Sequence, residues 1–370
     1  MILAINNSDT TNYSYKGKLH RTAKLQQSSA KLVSEPISTS INLQEHKSGH
    51  LGKLINSLRT IYQKFVSGFN AKNQLKLPED FDINVHKETV NKCLAKYLEN
   101  FQPISSISAD DFKTLVYEGL NKYFTEEAVM AYNILHKNKT AFEELDNYYS
   151  TSLSAIAEEI RKQDMSYENA REYLISKKEP IDKEFANKVL DIFVKEYNLG
   201  EIRPEVKCER LQEGIAGGWR PIEGCIVLDS SKLAKPETIV KILFHEFTHF
   251  LHDMDIMRYC GPKNFYKSVI VRCAKTYDMD IPFKQLMPLF LMTLMSQPVY
   301  NKMEEDIEKN PPRKVGIEKQ LAQINFVEKM NYKSSLKDKG AYHNQLAEIH
   351  AYYNGNYFEE LYKKHILLID

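Results

Sequence analysis

The sequence of 370 residues predicts an α+β fold that is mostly helical, in which a helical domain precedes a domain with a small twisted sheet. Three observations lead to this prediction. Apolar residues recur at helical spacing in the first half, short strand-like runs and a glycine-rich stretch follow residue 200, and helical patterns then return. We predict a flexible leader over 1–45, a helical domain over 46–199 and the sheet-containing domain over 200–370.

The leader is predicted from its composition, which is rich in Ser, Thr, Asn and Lys and has no sustained apolar period. Such a segment buries too little apolar surface to offset the entropy lost on ordering. Behind it, apolar residues three and four positions apart predict an amphipathic helix. Its apolar face would consist of Leu54, Ile55, Leu58, Ile61, Tyr62 and Phe65.

A second helix is predicted from about Asp182 to Tyr197. After Gly200, the runs Ile202–Leu211 and Cys225–Leu228 resemble short strands. Pro236 then opens a further helix, because proline is tolerated in a first helical turn.

The charge balance excludes several classes of partner. The net charge is +1, from 50 basic and 49 acidic side chains, so no overall field would attract nucleic acid or an anionic membrane. The longest apolar run, Leu286–Met295, is shorter than the roughly 20 residues of a membrane helix and contains Pro288, so we expect a core helix there.

The five cysteines form no C-x-x-C pair, which favours a reducing compartment. We expect no classical secretory signal at the N-terminus, because its apolar run, Met1–Ile5, is short and has no basic flank. We therefore predict a cytoplasmic location or export without such a signal.

The motif H-E-x-x-H at His245–His249 carries the main chemical prediction. Residues four apart share one face of an α-helix, so His245 and His249 can present two imidazoles to one tetrahedral zinc ion at about 2.0–2.1 Å. Glu246 lies beside them and can act as general base toward a water activated by Zn²⁺. A chance match is expected in roughly a few per cent of chains of this length. The sequence therefore predicts a catalytic zinc site.

The order of elements around the motif resembles the zincin metallopeptidases, in which an edge strand and a hairpin precede the active-site helix. The resemblance is carried by the run Glu213–Asp229, by Pro236–Thr238 and by His245–His249. It covers about residues 200–370 and implies a zincin-like catalytic domain that acts on a protein or peptide.

The same resemblance implies that the backbone around Ile215 to Trp219 pairs with an extended substrate. Gly217, Gly218 and Trp219 are therefore predicted to bind substrate. The glycines alone indicate only close backbone approach or a tight turn.

A catalytic zinc ion usually takes a third protein ligand. Glu348 is favoured, because with Ala351 it resembles the gluzincin pattern of a ligand glutamate followed three residues later by a small residue. Ala351 would let that helix pack closely against the active-site helix. Glu304 and Glu305, in an acidic run, remain alternatives.

Two nearer residues are less suitable. Asp255 has the spacing of zincins whose third ligand follows a turn, but His252 stands where those families have glycine. If the helix continues, Asp255 lies about 240° around the axis from His249. His252 lies about 10 Å from His245 along the axis, so we expect it in the cleft wall or the interface.

Zincins also use a Tyr, His or Arg to stabilise the developing oxyanion. Tyr352, one turn from Glu348, is predicted to take this role, and Tyr342, His343 and Tyr259 are alternatives. Carboxylates that orient the zinc-binding histidines are also expected. The candidates are Asp253 and Asp278.

Together these observations predict a zinc-dependent endopeptidase in which Glu246 passes a proton to the leaving amine. The leader and the large helical domain also suit an exported bacterial effector. One alternative is a binding or toxin-associated module without proteolytic activity on a zincin-like fold. Another is an all-helical structural protein in which the motif belongs to the core.

Overall fold

The computed structural model describes residues 83–99, 109–231, 235–276, 283–312, 317–333, 339–343 and 345–368. The predicted leader, the predicted helix at 54–65 and Asp278 lie outside these residues.

Helices dominate the first half of the described chain. They are α1 (Ile83–Glu99), α2 (Ala109–Lys137), α3 (Lys139–Lys162) and α4 (Tyr167–Glu196). The hydroxyl of Ser166 caps α4 by accepting a hydrogen bond from the backbone N–H of Asn169. The predicted helix from Asp182 is the second half of α4, which also contains Pro180.

A three-stranded mixed sheet follows, with β1 (Glu205–Glu209), β2 (Gly217–Arg220) and β3 (Cys225–Asp229) in the order β1-β3-β2. The central strand β3 is buried along its whole length; it pairs parallel with β1 and antiparallel with β2. The apolar pattern predicted that the glycine-rich stretch only separates two strands, whereas the resemblance to zincins implied an edge strand there; the stretch ends in a strand of its own. Since β2 is an edge strand, one of its sides is not paired within the sheet.

The rest of the described chain is helical. It comprises α5 (Pro236–Asp255), a π-helical turn (Ile256–Cys260), α6 (Pro262–Thr276), α7 (Phe283–Met295), α8 (Pro298–Lys309), α9 (Ile317–Met330), α10 (Lys339–His343) and α11 (Leu346–His365). The prediction of a mostly helical α+β chain with a small sheet is confirmed.

Helix α7 differs in part from its prediction as a core helix. Leu294 is buried, but Met292 and Met295 are 73% and 57% exposed. Among the described helices, none has the length and apolar character needed to cross a membrane.

Three phenylalanines in the main core pack against one another and join α4, α5 and α11; α5 carries the motif His245–His249. The ring centroid of Phe193 on α4 lies 4.9 Å from that of Phe244 on α5 and 5.3 Å from that of Phe358 on α11. Phe244 and Phe358 are 4.7 Å apart. The core thus includes residues on both sides of position 200, and the domain boundary there stays a prediction.

Candidate metal centre

Helices α5 and α11 bring together three side chains with metal-binding atoms. His245 and His249 lie in the middle of α5, and Glu348 lies in the first turn of α11. The two histidine Nε2 atoms are 3.2 Å apart, and Glu348 Oε2 lies 3.4 Å from Nε2 of His249 and 3.8 Å from that of His245. These are the three residues that the sequence favoured as ligands.

Two of the three distances, 3.2 and 3.4 Å, are close to those around a small tetrahedral ion, and the third, 3.8 Å, is longer. Ligand atoms about 2.0–2.1 Å from such an ion lie roughly 3.3–3.4 Å from one another. Glu348 Oε2 is buried without a hydrogen-bond partner, which is unfavourable unless a cation meets it. Burial lowers the pKa of His245 to about 3, so its imidazole is neutral, as a metal ligand must be.

Close packing of α11 on α5 depends on small residues. A Cβ atom on Gly355 would lie 2.8 Å from the carbonyl oxygen of Lys241 and 3.2 Å from Cβ of His245. Ala351 is fully buried, and its backbone forms a hydrogen bond with His245 that helps to orient the ring. The sequence prediction named Ala351 but missed Gly355. The signal was present, because Gly355 follows Ala351 by one helical turn.

The edge strand β2 positions Glu246. The backbone N–H of Trp219 donates a hydrogen bond of 2.7 Å to Glu246 Oε2, while Oε1 lies 3.8 Å from His245 Nε2. One oxygen is thus held by the strand and the other faces the histidines. Burial raises the pKa of Glu246, an effect that His249 and the Trp219 N–H partly offset.

Gly217 allows β2 to lie against α5, because a Cβ atom there would lie 2.4 Å from Cγ2 of Ile242. At Gly218, by contrast, a Cβ atom would meet nothing within 4 Å. The Trp219 indole is only 3% exposed, and its Nε1 donates a 2.6 Å hydrogen bond to Asp253. Trp219 therefore supports the site from the core, and its backbone N–H already has a partner.

Several predicted oxyanion-stabilising residues lie near the ligands. The Tyr352 ring centroid is 4.6 Å from that of His245, and its residue is 39% exposed. His343 lies 5.3 Å from Tyr352, centroid to centroid. Tyr342 acts on Glu348. Burial alone would raise the pKa of the Glu348 carboxyl group, but His249 and Tyr342 lower that pKa below its usual range. Tyr259 belongs to the π-helical turn beyond α5.

The alternative third ligands lie in other surroundings. Asp255 ends α5, which continues as a helix past His252. Glu304 accepts a 2.6 Å hydrogen bond from the hydroxyl of Tyr266, and Glu305 pairs with Lys302 at 3.3 Å. Neither Glu304 nor Glu305 belongs to the cluster of His245, His249 and Glu348.

His252 forms a separate buried network in the interface between α5 and α11. Its Nε2 lies 2.8 Å from Nδ1 of His350, and Nε2 of His350 lies 3.1 Å from the side-chain nitrogen of Asn354. That nitrogen donates a 3.2 Å hydrogen bond to the hydroxyl of Thr248. The network ties together the two helices that carry the ligands.

The prediction that Asp253 orients a zinc-binding histidine is wrong. Its carboxylate is engaged by the Trp219 indole and by a buried ion pair with Lys329 on α9. Lys329 and Arg272 also line a small cavity behind His249 and Glu348. Sequence reasoning missed both basic residues, because nothing in the spacing of α6 and α9 links them to the motif.

Comparison with protein-family models, with curated proteins and with solved structures finds no match for this chain. The interpretation of the site therefore depends on its own chemistry. That chemistry consists of two imidazoles and one carboxylate around a common point, with a second carboxylate beside them.

Proposed function

We propose that this chain is a zinc-dependent endopeptidase in which His245, His249 and Glu348 hold the ion and Glu246 is the general base. The proposal is carried by one observation. Three potential ligand atoms, contributed by two helices, lie within 4.8 Å of one another, and they are deeply or largely buried. Glu246 and an edge strand adjoin them.

Zinc is the ion that suits this set of donors. Imidazole nitrogens together with a carboxylate oxygen are typical zinc ligands, whereas calcium and magnesium prefer oxygen alone. When bound, zinc supplies a Lewis acid for the substrate carbonyl and lowers the pKa of water to about 7.

The residues of the chain would carry the proton transfers. Glu246 is held by Trp219 through Oε2, so its Oε1 is directed toward the histidines and can accept a proton from water. The same carboxyl group can then donate that proton to the leaving amine. Tyr352 is partly exposed beside His245 and is the first candidate for stabilising the oxyanion.

The edge strand gives a reason to expect a polypeptide substrate. An extended peptide can add to β2 through main-chain hydrogen bonds, as peptides do at other exposed sheet edges. Gly218 leaves open space on this strand. We infer that Gly217 and Gly218 lie along the path of the substrate backbone.

The test compares the wild type with Glu246→Gln. Glutamine keeps an oxygen for the Trp219 N–H but cannot act as a base, so we expect the variant to retain zinc and to lose at least about 100-fold in cleavage rate. Metal analysis measures the zinc, and mass spectrometry of new peptide termini in a digested proteome measures cleavage. The exposed Glu308→Gln serves as the control and should cleave like the wild type.

Identical fragments from the wild type and Glu246→Gln would overturn the proposal. So would purified protein that binds less than roughly half an equivalent of zinc, because such sites bind tightly. Function that persists in Glu246→Gln would instead favour a binding module. The predictions of a cytoplasmic location or of export as an effector rest on the cysteines, the helical domain and residues 1–45, of which residues 1–45 lie outside the described residues.

A further inference from the structure

We infer that a second pocket, beside the candidate active site, binds a lysine or arginine side chain of the polypeptide substrate. This inference rests on the proposed peptidase function. The pocket has a volume of about 500 Å³, which is within the range of ligand sites. It is bordered by the first turns of α5, by the sheet and by the C-terminal half of α11.

The main evidence is the carboxylate of Glu237. Glu237 lines the pocket and is only 8% exposed as a residue, its carboxylate oxygens remain accessible to solvent, and it forms no hydrogen bond or ion pair with any residue that the structure describes. Buried carboxylates in proteins are normally paired. Its place in the first turn of α5 provides a favourable helix dipole, but a dipole occupies none of the acceptor sites of the carboxylate.

The other carboxylates of the pocket are already engaged. Asp182 pairs with Lys178, and Glu359 pairs with Lys363 at 2.7 Å. Asp229 accepts hydrogen bonds from the backbone and the hydroxyl of Ser231.

The charge of the lining is negative, with four carboxylates against two lysines. Lys235 is exposed. Glu237 is therefore the group best placed to receive a further cation.

The walls of the pocket favour a long basic side chain over a small cation. Leu228, Ile239 and Ile242 contribute apolar atoms to the lining. Lysine and arginine have aliphatic stems that pack on apolar surface while the charged end reaches a polar partner. A lysine or arginine thus matches both the apolar wall and the buried acid.

The pocket lies along the path expected for the substrate. Ile242 lines it and precedes Glu246 by about one turn of α5. Ala216 also lines it and directly precedes β2. At about 3.3 Å per residue, Ala216 is roughly 10 Å along the strand from Trp219, whose N–H holds Glu246. A peptide extended along β2 would therefore place a side chain two or three residues from the cleaved bond in this pocket.

The test uses two sets of randomised decapeptides. One residue is held constant, as lysine in the first set and as norleucine in the second, and its place in the peptide is varied. The zinc-loaded wild type is incubated with each set, and mass spectrometry locates the cleaved bond. We expect kcat/KM to be at least tenfold higher for lysine at a position two or three residues from that bond. Norleucine has the same aliphatic stem, so the ratio isolates the charge.

Two variants assign the preference to a residue. Glu237→Gln should bring the lysine-to-norleucine ratio close to one, whereas Glu360→Gln, exposed and next to Glu359, should keep the wild-type ratio. A wild-type ratio near one overturns the inference without any variant. A preference that survives in Glu237→Gln also overturns it.

Binding to the Glu246→Gln protein separates this inference from the proposed function. In one outcome the wild type cleaves no peptide, Glu246→Gln binds lysine peptides in preference to norleucine peptides, and the further substitution Glu237→Gln abolishes this preference. The pocket inference is then supported and the peptidase proposal fails. Cleavage without a lysine preference would support the peptidase proposal and overturn the pocket inference. If there is neither cleavage nor selective retention, both are overturned.

Discussion

Glu348 and Asp255 were both considered as third ligands from the sequence, with Glu348 favoured, and they have very different surroundings in the structure. Glu348 faces His245 and His249 from a neighbouring helix. Asp255 lies at the end of the same helix as the histidines, and burial raises its pKa to about 7. Because α5 continues without a turn, the six residues after His249 rotate Asp255 by about 240°. The comparison teaches that helical phase, more than sequence distance, decides which acidic group can face the two histidines.

The largest expected effect comes from replacing each of these two acidic residues in a separate variant. Glu348→Ala removes a proposed ligand, so we expect zinc affinity to fall by more than about 100-fold, beyond the 10–100-fold typical of residues that only support a ligand. Asp255→Asn should keep the wild-type affinity. Competition with a coloured zinc chelator measures both. Equal losses in the two variants would show that Asp255 acts at the metal.

The sequence was sufficient for the parts of the site that depend on local helix geometry. His245, Glu246 and His249 were predicted from a four-residue spacing, whereas Glu348 was predicted because, with Ala351 three residues later, it resembles the gluzincin pattern. The local pattern did not show strand β2, which only the resemblance to zincins implied, because four residues that begin with two glycines have little strand propensity and depend on pairing with β3. Tertiary packing, which local propensity does not encode, formed it.

A second test of the contrast between Glu348 and Asp255 alters the contact between α5 and α11, because this contact holds Glu348 against the histidines. Gly355→Ala would push a Cβ atom against the carbonyl oxygen of Lys241. Overpacking of this kind costs about 1–3 kcal/mol, against a gain of roughly 1 kcal/mol in helix propensity. We expect a net loss of up to about 2 kcal/mol in the free energy of unfolding, measured by urea denaturation, together with weaker zinc binding.

Gly218→Ala is the matched control, because its Cβ atom would enter open space. Its free energy of unfolding should stay within about 0.5 kcal/mol of the wild type. A Gly355→Ala protein as stable as Gly218→Ala would mean that α11 can move away from α5 at little cost.

The residues that sequence reasoning could not place are those whose partners come from distant elements. Arg272 and Lys329 come from α6 and α9 to a cavity that His249 and Glu348 also line, and Glu237 differs from the other pocket carboxylates because no described residue pairs with it. Each depends on long-range packing and on which polar groups remain unsatisfied. A motif or a period in one segment carries no information of that kind.

The smallest expected effect concerns the pH dependence of stability and tests the surroundings of Asp255. Burial is the main cause of its raised pKa, Glu318 adds to it, and Arg258, which already pairs with Asp306 at 2.7 Å, opposes it. A carboxyl group with a folded pKa of about 7 and an unfolded pKa of about 3.9 holds its proton longer in the folded state. Its stabilising contribution is complete below about pH 4 and is lost as the pH rises through 7.

Asp255→Asn removes this titration, so the variant should match the wild type at or below about pH 4 and exceed it at pH 8. Since each pKa unit corresponds to about 1.4 kcal/mol, and since relaxation and water reduce the full value, we expect a gain of about 1 kcal/mol at pH 8. Urea denaturation of both proteins in excess zinc measures it, because zinc-linked changes then cancel in the difference. The exposed Glu308→Gln should show no such gain. A difference that grows toward low pH would mean that Asp255 is ionised and paired in the folded protein, and the contrast with Glu348 would then disappear.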